Sequence, residues 1–155
     1  SFGFATGSPE HKGYAAELEA TQASVKRMRE AGIRVLVGGD YGLNITPHGT
    51  YAKELQYFTD YFGFSPGEAL QAATKHGGEA FMPDGSLGTL EAGKIADMVI
   101  VKGNPLEQIV VLQDADAIAA VIKEGQIYTG LLDNQSPHQK NAEQLNQLLG
   151  ARPCN

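Results

Sequence analysis

Cysteine occurs once in the 155 residues, at Cys154. A single thiol closes no intrachain disulfide and builds no cysteine-based zinc site. The compartment therefore stays open, with a reducing cytosol as the default. Basic charge is also scarce: 12 Lys and Arg stand against 18 Asp and Glu, a net charge of −6. That balance argues against nucleic acid, whose phosphates need a basic surface. No apolar run reaches the ~20 residues that span a bilayer, so no membrane partner is expected. His-x-His, His-Glu-x-x-His and a Walker loop are all missing, so no metal or phosphate signature stands complete in this chain. The opening "SFGFATGSPEHKGY" lacks an initiator Met and a basic segment followed by an apolar one. It is expected to be an internal start of loop-like composition, without a signal peptide, as in a fragment, a processed chain or an incomplete polypeptide.

What is present is globular. Apolar residues make up 42% and charged residues 19%, one ordinary domain's worth of chain with enough material for a core. Residues 15–31 place Leu18, Val25 and Met28 among Glu, Gln, Lys and Arg, which predicts an amphipathic helix ended by Gly32. "IRVLV", residues 33–37, is apolar at nearly every position and predicts a strand covered on both faces, as in a parallel sheet. A helix feeding straight into such a strand suggests a βα unit. A second helix is expected over residues 50–62, with Leu55, Phe58 and Phe62 as its stripe and Gly63 as its stop. "SPGEALQAATKHG" opens with a capping box: Ser65 caps, Pro66 takes the first helical position, and Glu68 reaches back. Ala69, Leu70, Ala72 and Ala73 give a tightly packing face, and Gly77 and Gly78 are expected to end the helix before a turn, "EAFM".

Composition shifts after Pro83 toward glycine and short strands. Strands are expected at residues 97–102 and 117–123, in a sheet of their own, with Glu124-Gly125 as a tight hairpin turn. The polar stretch from Asn134 onward suits one helix with a fraying end.

Two residues invite a chemical role. Asp40 stands where a parallel strand would meet its following loop, the edge at which ligands bind in α/β folds. A carboxylate there can ligate a divalent cation or accept a proton from water. It can equally make an Asx-turn and do nothing more. His48 lies in "TPHG", a loop in which a histidine can bind substrate, ligate metal or cap the next helix. His76, beside Lys75, suits a helix C-terminus, and His11 and His138 sit in polar, loop-like surroundings.

The order of the pieces carries more than any one of them. "GIRVLVGGDYG…PHGTYAKELQYFTDYFGFSPGEALQAATKHGGEAF", then "GSLGTLEAGKIADMVIVKGNPLEQI…VIKEGQIY", closely resembles the C-terminal part of the metal-dependent amidohydrolase superfamily. The likeness is greatest to its imidazolonepropionase-like and Xaa-Pro dipeptidase-like branch and covers residues 15–128. It implies an α/β fold: the C-terminal part of a (β/α)8 barrel, its last helix–strand–helix units, plus part of a small β-sandwich. Residues 1–82 would belong to the barrel, 83–130 to the sandwich and 131–155 to a polar tail. "IRVLVGGD" resembles the eighth barrel strand. Asp40 then matches the aspartate that binds a catalytic divalent metal and takes a proton from the attacking water, and His48 matches a loop histidine that contacts substrate. Lys94 and Asp97 resemble a structural turn with a paired charge.

The implied activity is hydrolysis of an amide-like C–N bond in a dipeptide, an acylated amino acid or a cyclic amide, with one or two divalent ions, zinc first. The other ligands of the family, a His-x-His pair, a bridging modified lysine and two further histidines, are not in this chain. Since three or more protein ligands are normal at such a site, the chain is expected to be inactive alone. A longer polypeptide or second chain would supply the rest, and the complete enzyme is expected to be a homo-oligomer. Two other classes stay open: a non-catalytic fragment or subunit packed on a partner chain, and a small stand-alone α/β module binding a ligand through Asp40 and His48 without metal. A fragment leaves apolar edges uncovered. Light scattering of the isolated chain should therefore show oligomers or aggregates, and a compact monomer with a cooperative melt would favour the stand-alone module.

Overall fold

The first helix begins at Pro9, well before residue 15, because the stretch expected to be a loop contains a cap. Ser8 is extended, its Oγ accepts from the His11 backbone N–H, and Pro9 occupies the first turn, the arrangement that favours helix initiation. The computed structural model describes residues 4–44 and 46–128, and the chain divides into two compact units between Ala73 and Thr74. The tail expected at 131–155 lies outside the described residues.

In the first unit, α1 (Pro9–Glu30) ends as the sequence predicts. Gly32 adopts φ +74, its N–H reaches Arg29 O at 3.0 Å, and Ile33 N–H reaches Met28 O at 2.9 Å. This is a Schellman cap, which glycine makes without strain. No residue of α1 is buried; Leu18 and Met28 of its apolar stripe are exposed. The second helix is α2 (Lys53–Tyr61), shorter than residues 50–62, and Gly63 at φ +68 turns the chain away as expected. Next, α3 (Pro66–Gln71) carries the full capping box: Ser65 Oγ accepts from Glu68 N–H, and Glu68 accepts from Ser65 N–H at 2.8 Å. Those bonds, the Ser65 backbone N–H first, hold the Glu68 carboxyl below its usual range. Leu55, Phe58, Ala69 and Ala72 are buried, and Phe58 meets the rings of Phe62 and Phe64 at 5.8 and 4.8 Å.

Two expectations are corrected here. Residues 33–37 form no strand, and Ile33 remains 57% exposed. A strand exists only when its backbone groups meet those of a neighbour, and no described segment pairs with this run. The buried parallel strand of an α/β barrel is therefore not formed; the described residues hold helices and one antiparallel sheet. Second, Gly77 and Gly78 do not end the helical run. It passes through a π turn, Ala72–His76, into α4 (Gly77–Phe81), so His76 lies inside it. Gly78 serves close approach instead: a Cβ there would stand 2.6 Å from Leu87 O and 2.7 Å from Gly88 Cα. Two backbone segments of the second unit cross at this point, and neither can yield to a side chain.

The second unit holds a three-stranded antiparallel sheet, β1 (Met98–Val101), β2 (Ile118–Lys123) and β3 (Gln126–Tyr128), in that spatial order. The strand pair and hairpin agree with the sequence pattern. Lys123 faces Gln126 across a two-residue turn in which Glu124 and Gly125 have φ 51 and 77, a turn whose twist matches the strands. Asp97 is structural, its Oδ1 accepting from Glu124 N–H at 2.7 Å. Lys94 bonds Thr89 Oγ1 and Glu91 within one turn.

The tie between α1 and the rest of its unit is Arg29. Its guanidinium donates to Phe62 O at 3.0 Å, Gly63 O at 2.5 Å and Glu68 Oε1 at 2.8 Å, and lies 4.0 Å over the Phe64 ring. Lysine has no planar fork to meet these acceptors together. Arg29→Ala should loosen α1 by about 1–2 kcal/mol, a discounted value for partly exposed charge-assisted bonds. Arg29→Lys should recover only part of it. Amide exchange over residues 22–30 measures both, and unchanged protection in Arg29→Ala would show that α1 is held by something else.

Candidate active site

The loop that carries Asp40 is short and internally bonded. Gly42 N–H donates to Thr46 O at 2.9 Å, Thr46 N–H to Leu43 O at 3.1 Å, and Thr46 Oγ1 to the Asp40 main-chain oxygen at 2.5 Å. Gly42 has φ +104, a conformation that glycine adopts without strain. Asp40 is exposed, and its carboxylate makes no hydrogen bond or ion pair among the described residues. The loop thus fixes the main chain of Asp40 and leaves the side chain available. That is not the bonding of an Asx-turn, in which the carboxylate itself accepts.

His48 returns to the same loop. Its Nε2 lies 3.0 Å from the point where a Cβ on Gly42 would stand. Its Nδ1 is 2.8 Å from the Tyr51 hydroxyl, with the rings 6.2 Å apart. A helix-capping role for the His48 side chain is not seen, since α2 has no side-chain cap bond.

Three residues that sequence reasoning missed complete the cluster: Tyr41, Tyr51 and Glu54. The Tyr41 and Tyr51 rings meet edge to face at 4.5 Å. The Tyr41 hydroxyl donates to Tyr51 O at 3.4 Å and feels the charge of the neighbouring Glu54 carboxylate. The Glu54 carboxylate also lies against Gly39, in the space a Cβ there would fill. Residues 48–54 therefore lean on the glycines at 39 and 42, on either side of Asp40. One signal for this was visible. Tyr51 and Glu54 are three residues apart where α2 begins, a spacing that puts two side chains on one face.

Burial, then the Glu54 charge and its hydrogen bond, push the Tyr41 hydroxyl up from 10.0 to about 12. The folded state therefore holds this proton more tightly than the unfolded chain. Its contribution to stability is complete below pH 10 and is lost as pH rises through about 12. Glu54→Gln should bring phenolate formation at Tyr41 part of the way back, since burial is the larger cause. The difference in phenolate absorbance between the chain and Tyr41→Phe, each with and without Glu54→Gln, reads this directly. A Tyr41 titration that Glu54→Gln leaves in place would remove Glu54 from the cluster.

Residues 10–128 match the amidohydrolase family. The chain belongs to that family. Amidohydrolases similar to it include ochratoxinase from Aspergillus niger, 35% identical over 114 residues, which are 73% of this chain and 22% of that protein. Imidazolonepropionase from Symbiobacterium thermophilum is 31% identical over 110 residues, 71% of this chain and 26% of that protein. Among solved structures, a Xaa-Pro dipeptidase with methionine bound in its active site superposes with a TM-score of 0.61 at 35% identity. That match covers 70% of this chain and 25% of the dipeptidase. The ochratoxinase structure gives 0.64 at 31% identity, covering 72% and 25% of the two chains. The resemblance to the imidazolonepropionase-like and Xaa-Pro dipeptidase-like branch is borne out. The chain spans about a quarter of the length of these amidohydrolases.

A divalent ion at a catalytic site normally takes three or more protein ligands. Among the described residues, no three His, Cys, Asp or Glu side chains converge to hold one. The donor set present here, one free carboxylate, does not fit a complete site.

Proposed function

We propose that this chain is the C-terminal part of a metal-dependent amidohydrolase that hydrolyses an amide-like C–N bond, in a dipeptide, an acylated amino acid or a cyclic amide. The observation that carries the reading is the Asp40 carboxylate. It is exposed and has no partner among the described residues, in a tightly bonded loop within the stretch that matches the amidohydrolase family. In this reading Asp40 is one oxygen ligand of one or two divalent ions, zinc first, and the other ligands lie outside this chain. Asp40 is also the proton acceptor: a carboxylate oxygen takes a proton from the attacking water and passes it to the leaving amine. His48 binds substrate. The rest of the barrel comes from a longer polypeptide or a second chain, the chain alone is inactive, and the complete enzyme is a homo-oligomer.

The test is Asp40→Asn in the complete protein. Asparagine keeps the main-chain oxygen that Thr46 bonds, so the loop should persist, but its amide cannot accept the proton. Turnover should fall by about 10²–10⁴-fold from the lost acid–base step alone, with lower metal content and an unchanged fold by circular dichroism. His48→Ala should raise KM and leave metal content as it was. Near-native turnover with full metal occupancy in Asp40→Asn would reduce Asp40 to a loop residue.

A second reading, a non-catalytic piece seated on a partner chain, is favoured by residues 33–37, which form no strand and where Ile33 and Leu36 lie exposed. It predicts full activity of the partner with Asp40→Asn in this chain.

A further inference from the structure

We propose that Tyr51 is a positioning residue: its hydroxyl donates to His48 Nδ1 and so holds the ring with Nε2–H available to an acceptor oxygen of the substrate, a carbonyl or carboxylate. This rests on the reading of His48 as a substrate-binding residue and adds which atom binds and what orients it.

The geometry supplies each step. His48 Nδ1 and the Tyr51 hydroxyl are 2.8 Å apart, a full-strength hydrogen-bond distance. A neutral imidazole has one donor and one acceptor nitrogen. A phenol is the better donor of the two groups, so Nδ1 accepts and the ring proton sits on Nε2, which makes His48 a donor to substrate. Nε2 lies above Gly42, where the first carbon of any side chain would stand 3.0 Å from it. The missing side chain at 42 is what gives the imidazole its place, on the loop two residues beyond Asp40.

Tyr51 is itself clamped. Tyr41 meets its ring edge-on at 4.5 Å and 70°, and the Tyr41 hydroxyl donates to Tyr51 O at 3.4 Å. Yet Tyr51 is 52% exposed, so core packing does not account for an aromatic fixed from two sides. Its hydroxyl bonds no other side chain among the described residues. Tyr51→Phe keeps the ring and its contact with Tyr41 and deletes only the bond to His48.

The experiment is a double-mutant cycle in the complete protein: parent, His48→Ala, Tyr51→Phe and the pair. Turnover is followed on a panel of N-acetyl amino acids, Xaa-Pro dipeptides and cyclic amides. Loss of one neutral hydrogen bond corresponds to about a 3- to 10-fold change. Tyr51→Phe should raise KM by that factor with kcat little altered, and should add nothing once His48 is alanine. In protein carrying nitrogen-labelled histidine, the Nδ1 resonance of His48 should move in Tyr51→Phe. Additive KM effects, an unchanged KM in Tyr51→Phe, or an unmoved Nδ1 resonance would each overturn the inference while His48→Ala still weakens binding. A His48→Ala variant with parental KM overturns the substrate-binding role and this inference with it. If nothing in the panel is hydrolysed, the hydrolase reading fails by itself, and the nitrogen spectrum still decides the hydrogen bond.

Discussion

Arg29 is the residue on which the first unit depends. Helix α1 has 22 residues and none of them is buried, so the hydrophobic effect gives it little hold on its surroundings. Its attachment is polar: Gln22 donates to Tyr61 O at 3.0 Å, and Arg29 reaches two carbonyls, a carboxylate and an aromatic ring. The carbonyls of Phe62 and Gly63 lie just past the C-terminus of α2, where helix geometry leaves oxygens without intrahelical donors. The carboxylate is that of Glu68, which also closes the capping box of α3. One guanidinium therefore joins the end of α1, the end of α2 and the start of α3. A cation at the end of α2 is favoured further by the helix dipole.

The second constraint is a lack of partners. Residues 33–37 leave α1 through a well-formed cap and are apolar enough for a fully covered strand, but no described strand lies beside them. Strand structure is a property of pairs, so a segment with every side-chain preference for a sheet stays irregular where no described segment pairs with it. The match to about a quarter of the length of related amidohydrolases is in keeping with this. The sheet that does form, β1 to β3, has all of its strands within residues 98–128.

The candidate site follows from the same economy. A loop bonded through its main chain needs no help from the side chain of Asp40, and that side chain is left free. The groups around it do not touch the carboxylate. They press on the glycines at 39 and 42 instead, so a Tyr–Glu pair and a Tyr–His pair are built beside Asp40 without neutralising it.

What the sequence by itself determined is local. The Gly32 stop, the Ser65 capping box, the Gly63 turn and the Glu124-Gly125 hairpin each bond groups only a few residues apart, so residue identity at fixed spacing was enough to foresee them. The cap at Ser8 was equally local, and its Ser-Pro-Glu pattern was legible though read as loop. Family membership was legible too, because several motifs recur in one order. Tertiary structure alone decided the rest. Gly78 looked like a helix breaker and is the place where another backbone passes within contact distance. Arg29, which no sequence pattern singled out, ties three helices together. No spacing rule reports such contacts, because each depends on where the folded chain brings distant or oppositely oriented groups, and the strand at 33–37 depends on neighbours that this chain's described residues do not contain.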